Sequence, residues 1–282
     1  MKLRLDKLLV DRSLAESRER AQAMIIAGRV LVNEQRIDKS GASVPDDAAI
    51  RLTGDDPRYV SRGGLKLEAA LTTWKISVEG LACADIGAST GGFTDCMLQH
   101  GAATVLAVDT GYGQIHHKLR TDPRVSLLER TNARLLTPGQ LDPTVGALAV
   151  IPKGDLLHRP TPIPPQPIKF FAMDVSFISA TLVLPAVLSA LALAGEAWQG
   201  DAVLLVKPQF EAGREHVGKG GIVRDPAAHQ LAVHRVEASV RDCGGQALAL
   251  IHSPILGMEG NREFLLHAQF SGARFKVQGS RL

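Results

Sequence analysis

The pattern that most limits the fold begins at Leu81. From there the chain repeats a short apolar run, a glycine-rich turn and a helical interval. The runs fall at Leu81–Gly87, Ala103–Asp109, Arg124–Leu128, Lys169–Val175, Asp201–Pro208, Gln246–Leu256 and Glu263–Phe270. Strands this apolar bury both faces, and helices between them supply the cover, which predicts a doubly wound α/β sheet. Such sheets bind ligands beyond the carboxyl ends of their strands, so the residues that follow each run are where function is sought.

The first run closes on Asp85-Ile86-Gly87-Ala88-Ser89-Thr90-Gly91-Gly92-Phe93 and opens a helix. Ser89 stands where a dinucleotide fingerprint needs its second glycine, and no Gly-Lys-Ser/Thr follows, so neither phosphate-cradling motif is present. What remains is a turn whose glycines admit a ligand close to the backbone. Asp109, 24 residues after Asp85, ends the second run, where an acid can hold both hydroxyls of a ribose. A ribose-binding acid beside a glycine turn without phosphate features suits S-adenosylmethionine, which has a ribose and a methionine tail but no phosphate. Asp85, Gly87, Ser89, Gly91, Asp109 and Asp174 are the expected cofactor contacts, with Asn132 after the third run placed to meet an adenine edge. Ordinary capping carboxylates and a plain strand-to-helix turn are the structural alternative.

A chain of 282 residues accommodates a second domain, and residues 1–54 read as one. Leu5, Leu8, Leu9 and then Ala15, Ala21, Met24, Ile25, Ile26 form two helix-like clusters, the second ending at Gly28. Val30 to Ile37 alternates about a polar pair, as a hairpin does. Net charge is only +3, which advertises no polyanionic partner, but seven basic residues against four acidic ones are concentrated up to Arg29. Arg18 and Arg20 open the second helix, where its dipole disfavours cations, so they are expected to face an external anion or solvent. Residues 55–64 read as a linker, and residues 65–282 as the α/β domain. The stretch 144–167 holds six of the 15 prolines and reads as a loop or insertion.

Cys83, Cys96 and Cys243 are odd in number and widely spaced, which supports neither a disulfide framework nor a thiolate metal site. With charges at Lys2, Arg4, Asp6 and Lys7 breaking any leader-like apolar run, a cytoplasmic location is expected. His116 with His117, and His229 with His234, lack zinc-ligand spacing, so no metal is expected. The 21 uncharged residues from Val175 to Gly195 reach bilayer-spanning length, but a strand end followed by a core helix accounts for them.

The motif series resembles a known family along essentially the whole chain. R-L-D-K-L-L followed by S-R-E-R-A-Q-A-M-I-I-A-G-R-V-L-V-N, within residues 3–53, is similar to the S4-type RNA-binding domain. S-R-G-G-L-K-L (61–67), D-I-G-A-S-T-G-G-F-T-D (85–95), V-D-T-G-Y-G-Q (108–114), E-R-T-N-A-R (129–134), D-V-S-F-I-S (174–179), L-V-K-P-Q-F-E-A-G-R (205–214) and K-G-G-I-V-R-D (219–225) resemble the TlyA, or haemolysin A, family. Its members are ribosomal RNA ribose 2′-O-methyltransferases with an S4-type domain before an FtsJ-like domain. The proline-rich stretch departs from the pattern. The resemblance implies a Rossmann-like class I S-adenosylmethionine-dependent methyltransferase fold, with a seven-stranded, mostly parallel sheet behind a small α+β S4-like domain. It further implies RNA phosphate contacts at Arg4, Arg18 and Arg20, and ribosomal RNA or ribosomal subunits as partners. Cytidine is the implied nucleoside, on the small or large subunit or both, and a monomer the expected state.

The family's Lys-Asp-Lys-Glu set falls on Lys66, Asp174, Lys207 and Glu263. A ribose hydroxyl is a weak acid, so its attack on a sulfonium methyl needs a proton acceptor. Lys207 is the expected acceptor, with Lys66 lowering its proton affinity and Asp174 and Glu263 orienting the two lysines. Taken one at a time these residues also read as a surface lysine, a structural ion pair and a solvent-facing acid. Two other functions stay open: a membrane-active cytolysin acting through 175–195, and an RNA-binding protein without catalysis.

Overall fold

The computed structural model describes residues 2–26, 28–53, 58–141, 166–192, 196–257 and 260–272. The chain divides into two compact units, Met1–Arg58 and Tyr59–Leu282. Of the proline-rich stretch 144–167, all but the last two residues lie outside the described residues.

In the smaller unit β1 (Lys2–Arg4) leads into α1 (Leu5–Asp11) and α2 (Arg18–Ile26). Strands β2 (Val30–Val32), β3 (Gln35–Arg36), β4 (Ser43–Pro45) and β5 (Ile50–Leu52) follow. β1 pairs with β4, and β2 lies between β3 and β5, all antiparallel. The β2–β3 turn places both Asn33 and Glu34 at positive φ, the two-residue geometry that matches the twist of a hairpin. Leu5, Leu8, Leu9, Ala21, Met24 and Ile25 meet Val30 and Val32 in one core. Ile26, grouped with them by spacing, is exposed at the last position of α2.

The larger unit begins with α3 (Gly63–Trp74), followed by β6 (Ala82–Ile86), α4 (Gly92–Gln99), β7 (Thr104–Val108), α5 (His117–Arg120) and β8 (Val125–Leu128). After the undescribed stretch come β9 (Ile168–Met173), α6 (Ala180–Leu191), β10 (Gln199–Val206), α7 (Pro208–Glu211), α8 (Pro226–Asp242), β11 (Gly245–His252) and β12 (Phe264–Ser271). Short 3₁₀ turns occupy Ala133–Leu135 and Arg214–His216. The sheet order is β11-β12-β10-β9-β6-β7-β8, with β12 antiparallel to both its neighbours and the other described pairs parallel.

Adjacent residues on each strand feed opposite layers. Phe171 and Leu204 join the core with Leu184, Val187 and Leu188 of α6 and Val236 of α8, whereas Phe170 and Val203 join that of Leu67 on α3 and Met97 on α4. Tyr59 is buried and Gly63 opens α3, so residues 59–64, expected as linker, are part of the larger unit. The uncharged segment from Val175 resolves into a loop and the 12-residue α6, whose start is capped by Ser179. Among the described residues no helix is long and apolar enough to cross a membrane.

Candidate active site

The sheet reverses its strand order between β6, which begins it, and β9, which lies on the other side of β6 from β7. A cavity of about 750 Å³ opens at this rim. Asp85 and Gly87 reach it from the end of β6, Asp174 from the end of β9 and Lys207 from the end of β10. β12 runs against the other strands, so its start lies at the same rim. The pairing of Val206 with Phe264 places Lys207 and Glu263 on adjacent strands there. Lys66 enters from the first turns of α3.

Two ion pairs organise the four residues. The Lys66 Nζ donates to Glu263 Oε2 at 2.5 Å, with both side chains nearly buried. The Lys207 Nζ lies 2.6 Å from Asp174 Oδ1 and donates to Ser176 Oγ at 2.7 Å. Each ammonium is matched by one carboxylate, so the group is neutral as a set. Removing one partner would strand a charge in a poorly solvated place, which costs about 3–5 kcal/mol.

Asp85 is fully buried. Its Oδ2 accepts hydrogen bonds from the Thr94 amide at 2.8 Å and the Thr94 hydroxyl at 2.6 Å, whereas its Oδ1 has no partner. Burial pushes this carboxyl up to about 7; the Thr94 hydroxyl opposes the shift, and the nearby charges of Asp174 and Asp109 add to it. An orphaned carboxylate oxygen in a ligand-sized cavity is a receptor for a cationic or N–H donor group. Beside it Gly87 has φ +90°, and a Cβ there would collide with the Asp174 carbonyl oxygen, so the turn is open only to glycine. The methionine ammonium of S-adenosylmethionine fits this receptor.

The other expected cofactor contacts are distributed less simply. Ser89 lines the main cavity, and its amide donates to Asp109 Oδ2 at 2.7 Å. Asp109 also accepts from the Gly111 amide at 2.6 Å and lies in a small adjoining cleft with Ser89, Gly111, Gln114 and Glu129. Gly91, at φ +94° before α4, lines neither cavity. Asn132 is an N-cap: its Oδ1 accepts from the Arg134 amide at 3.0 Å, and it is absent from the lining of both cavities.

Spacing does not single out Ser176, Phe177, Gln209, Phe210 or Asn261, which line the cavity. Phe177 is 89% exposed at φ +64°, a strained conformation for an aromatic residue, with its ring 5.7 Å from that of Phe210. Asn261 accepts from the Val223 amide and donates to the Gly221 carbonyl, tying that loop to the entry of β12. The motifs D-V-S-F and K-P-Q-F contain most of these residues, but only the fold shows which of them turn inward. Among the described residues no cluster of His, Cys, Asp and Glu could hold a metal ion.

In the smaller unit, Arg4 and Arg18 do not face solvent alone. Both pair with the buried Asp6, at 2.8 Å and 3.0 Å, with about half of each side chain exposed. Arg18, expected to face an external anion or solvent, thus also has an internal partner, and its cost at the start of α2 is offset by the Asp6 carboxylate. Arg20, on the same helix, is half-buried.

Residues 59–270 match the FtsJ-like methyltransferase family and residues 3–48 the S4 domain. The chain is 48% identical to YqxC of Bacillus subtilis, provisionally named an rRNA methyltransferase, over 96% of this chain and 87% of that protein. It is 40% identical to the 16S/23S rRNA (cytidine-2′-O)-methyltransferase TlyA of Mycobacterium tuberculosis, over 93% of this chain and 88% of that one. A solved Streptococcus thermophilus structure named as a hemolysin superposes with TM-score 0.68 at 41% identity, covering 99% of this chain and 92% of that one. With the S4 unit leading, the reversed strand order and the paired lysines at the rim, the chain belongs to the TlyA family of FtsJ-like methyltransferases.

Proposed function

We propose that this protein methylates a ribose 2′-hydroxyl of ribosomal RNA, with S-adenosylmethionine as donor and cytidine as the target nucleoside. The observation that carries the reading is the convergence of two ammonium–carboxylate pairs, Lys66 with Glu263 and Lys207 with Asp174, on the cavity that is also lined by Asp85 with its unsatisfied oxygen.

S-adenosylmethionine supplies an electrophilic methyl group on a sulfonium. Asp85 would receive its ammonium, the Gly87–Ser89 turn its methionine backbone, and Asp109 its ribose hydroxyls. The chain's own task is to hold the RNA hydroxyl and take its proton. In its neutral form Lys207 would accept the hydroxyl proton as the oxygen attacks, and Asp174, 2.6 Å from its Nζ, would stabilise the ammonium that results. Lys66, held by Glu263 at 2.5 Å, stabilises the oxygen while it carries negative charge. Phe177 offers an exposed aromatic face on which the base of a displaced nucleotide can stack.

Arg4, Arg18 and Arg20 of the S4 unit would contact RNA phosphates, fixing register without reading sequence. Such a substrate sets the compartment as the cytoplasm. All the groups named come from one chain, in keeping with a monomer.

The test supplies purified small and large ribosomal subunits, separately, with methyl-labelled S-adenosylmethionine. Label on a cytidine ribose is expected, and it should fall at least a thousandfold in Lys207→Ala while cofactor binding persists. Transfer by Lys207→Ala at near the parent rate would exclude Lys207 as proton acceptor. Label on neither subunit would exclude ribosomal RNA as substrate.

A further inference from the structure

Asp6 is a carboxylate with no exposure, beneath the most basic part of the smaller unit. Its Oδ1 accepts from Arg4 Nε at 3.1 Å and from the Lys7 amide at 2.9 Å. Its Oδ2 accepts from Arg4 Nη2 at 2.8 Å, Arg18 Nε at 3.0 Å and Gln22 Nε2 at 2.9 Å. These contacts tie the end of β1 to the start of α2. Asp6 is therefore charged at any working pH, held far below the usual carboxylate range first by its bond to Arg4.

An acid here is unexpected if the unit only gathers positive charge for RNA. It cancels one of the two arginine charges, and burying it is costly even when it is paired. What it supplies is orientation. A free arginine carries substantial rotamer entropy, much of which a phosphate contact would otherwise have to overcome. Asp6 engages one edge of each guanidinium, and Nη1 of Arg4 and both Nη groups of Arg18 stay outside those bonds. Two fixed forks on one buried anchor form a clamp for phosphate oxygens.

We infer that Asp6 is a positioning residue for RNA: it holds Arg4 and Arg18 as a preorganised pair for backbone phosphate. The inference rests on the reading that these two arginines contact RNA.

Charge and geometry predict opposite signs for Asp6→Asn. The substitution adds one net positive charge, so a purely electrostatic face would bind RNA more tightly and with a steeper salt dependence. In a positioned clamp, the introduced amide nitrogen would meet the Arg4 Nη2, Arg18 and Gln22 donors and release Arg18, while Arg4 keeps its Nε bond to the remaining oxygen. Binding of the full-length variant to purified ribosomal subunits should then weaken about tenfold. The slope of log affinity against log salt should fall by about 0.7–0.9, one phosphate contact. The turnover number at saturating subunit should stay constant while KM rises.

Arg18→Lys is the companion variant, since it keeps both the charge and the Asp6 pair but loses the planar fork. It should lose most of what Arg18→Ala loses. Tighter or unchanged binding by folded Asp6→Asn overturns the inference, and so does parent-like binding by Arg18→Lys. If Asp6→Asn fails to fold, Arg18→Lys alone decides. Unchanged binding by the double variant Arg4→Ala/Arg18→Ala would instead refute the underlying assignment of these arginines to RNA.

Discussion

Asp85 shows how a single atom can couple cofactor binding to pH. Its folded-state carboxyl lies at about 7, above the ordinary value of 3.8, because burial disfavours the charge. The folded free protein thus keeps a proton that the unfolded chain gives up. Its stability from this group is complete below the ordinary carboxylate range and is lost as pH rises toward 7. A cationic ligand group at the orphaned Oδ1 prefers the ionised form, so cofactor binding should expel the proton. Between about pH 6 and about pH 8 the cofactor dissociation constant is expected to fall about tenfold, following the ionised fraction. Calorimetry in buffers of different ionisation enthalpy should register proton release below about pH 7. Asp85→Asn should bind more weakly and without this pH dependence, and a parent-like pH profile in that variant would refute the assignment. Sequence makes Asp85 legible as the acid ahead of a glycine turn, but not its half-satisfied state, which depends on Thr94 in the first turn of α4. Asn132 shows the converse: an amide after a strand is equally suited to capping, and capping is where the fold uses it.

At the scale of elements, the proposed catalytic pair depends on two loops that must stay in register, one after β9 with Asp174 and Ser176, the other after β10 with Lys207. Glu211, at the end of α7, links them. Its carboxylate accepts from Ser179 Oγ at 2.5 Å and the Ala180 amide at 2.6 Å, so it holds the start of α6 to the β10 loop. Burial pushes the Glu211 carboxyl upward, against the pull of the Ser179 bond. Glu211→Ala leaves both donors unsatisfied and should cost about 2–3 kcal/mol of stability. It should also lower the turnover number more than it weakens cofactor binding, because Asp85 and its turn lie on other elements. Glu211→Gln can still accept from Ala180 and should recover most of the activity. Thermal unfolding and separate kcat and KM measurements check both expectations. The elements themselves are readable because buried parallel strands must be apolar on both faces. The insertion of β12 between β10 and β11 is not, since no local pattern in Phe264–Ser271 states its direction, and that direction is what brings Glu263 to the rim.

At the scale of the whole chain, each unit has its own hydrophobic core, and the chemistry lies in the larger one. The exact boundary determines whether that unit can work alone. Tyr59 is buried against the backbone of Gly64, and the Val60 amide donates to the buried Asp95 at 2.8 Å. Ser61, Arg62 and Gly63 line the cavity. Composition alone places these residues in a linker, because arginine, serine and paired glycines read as a flexible connection when their anchors are not visible. A truncated chain beginning at Tyr59 should therefore fold and bind cofactor within about twofold of the full protein, as all the contacts just named are kept. One beginning at Leu65 loses the Tyr59 packing and the Asp95 bond, and should bind at least tenfold more weakly or unfold. The chain beginning at Tyr59 should still lose most methyl transfer to ribosomal subunits at limiting concentration, since it lacks the arginines of the smaller unit. Adding residues 1–58 as a separate chain should not restore it, because covalent linkage supplies millimolar effective concentration that free mixing at micromolar protein cannot. Equal cofactor affinity from both truncations would return residues 59–64 to the role of a linker. Full methylation by the chain beginning at Tyr59 would show that the catalytic unit recognises its RNA unaided.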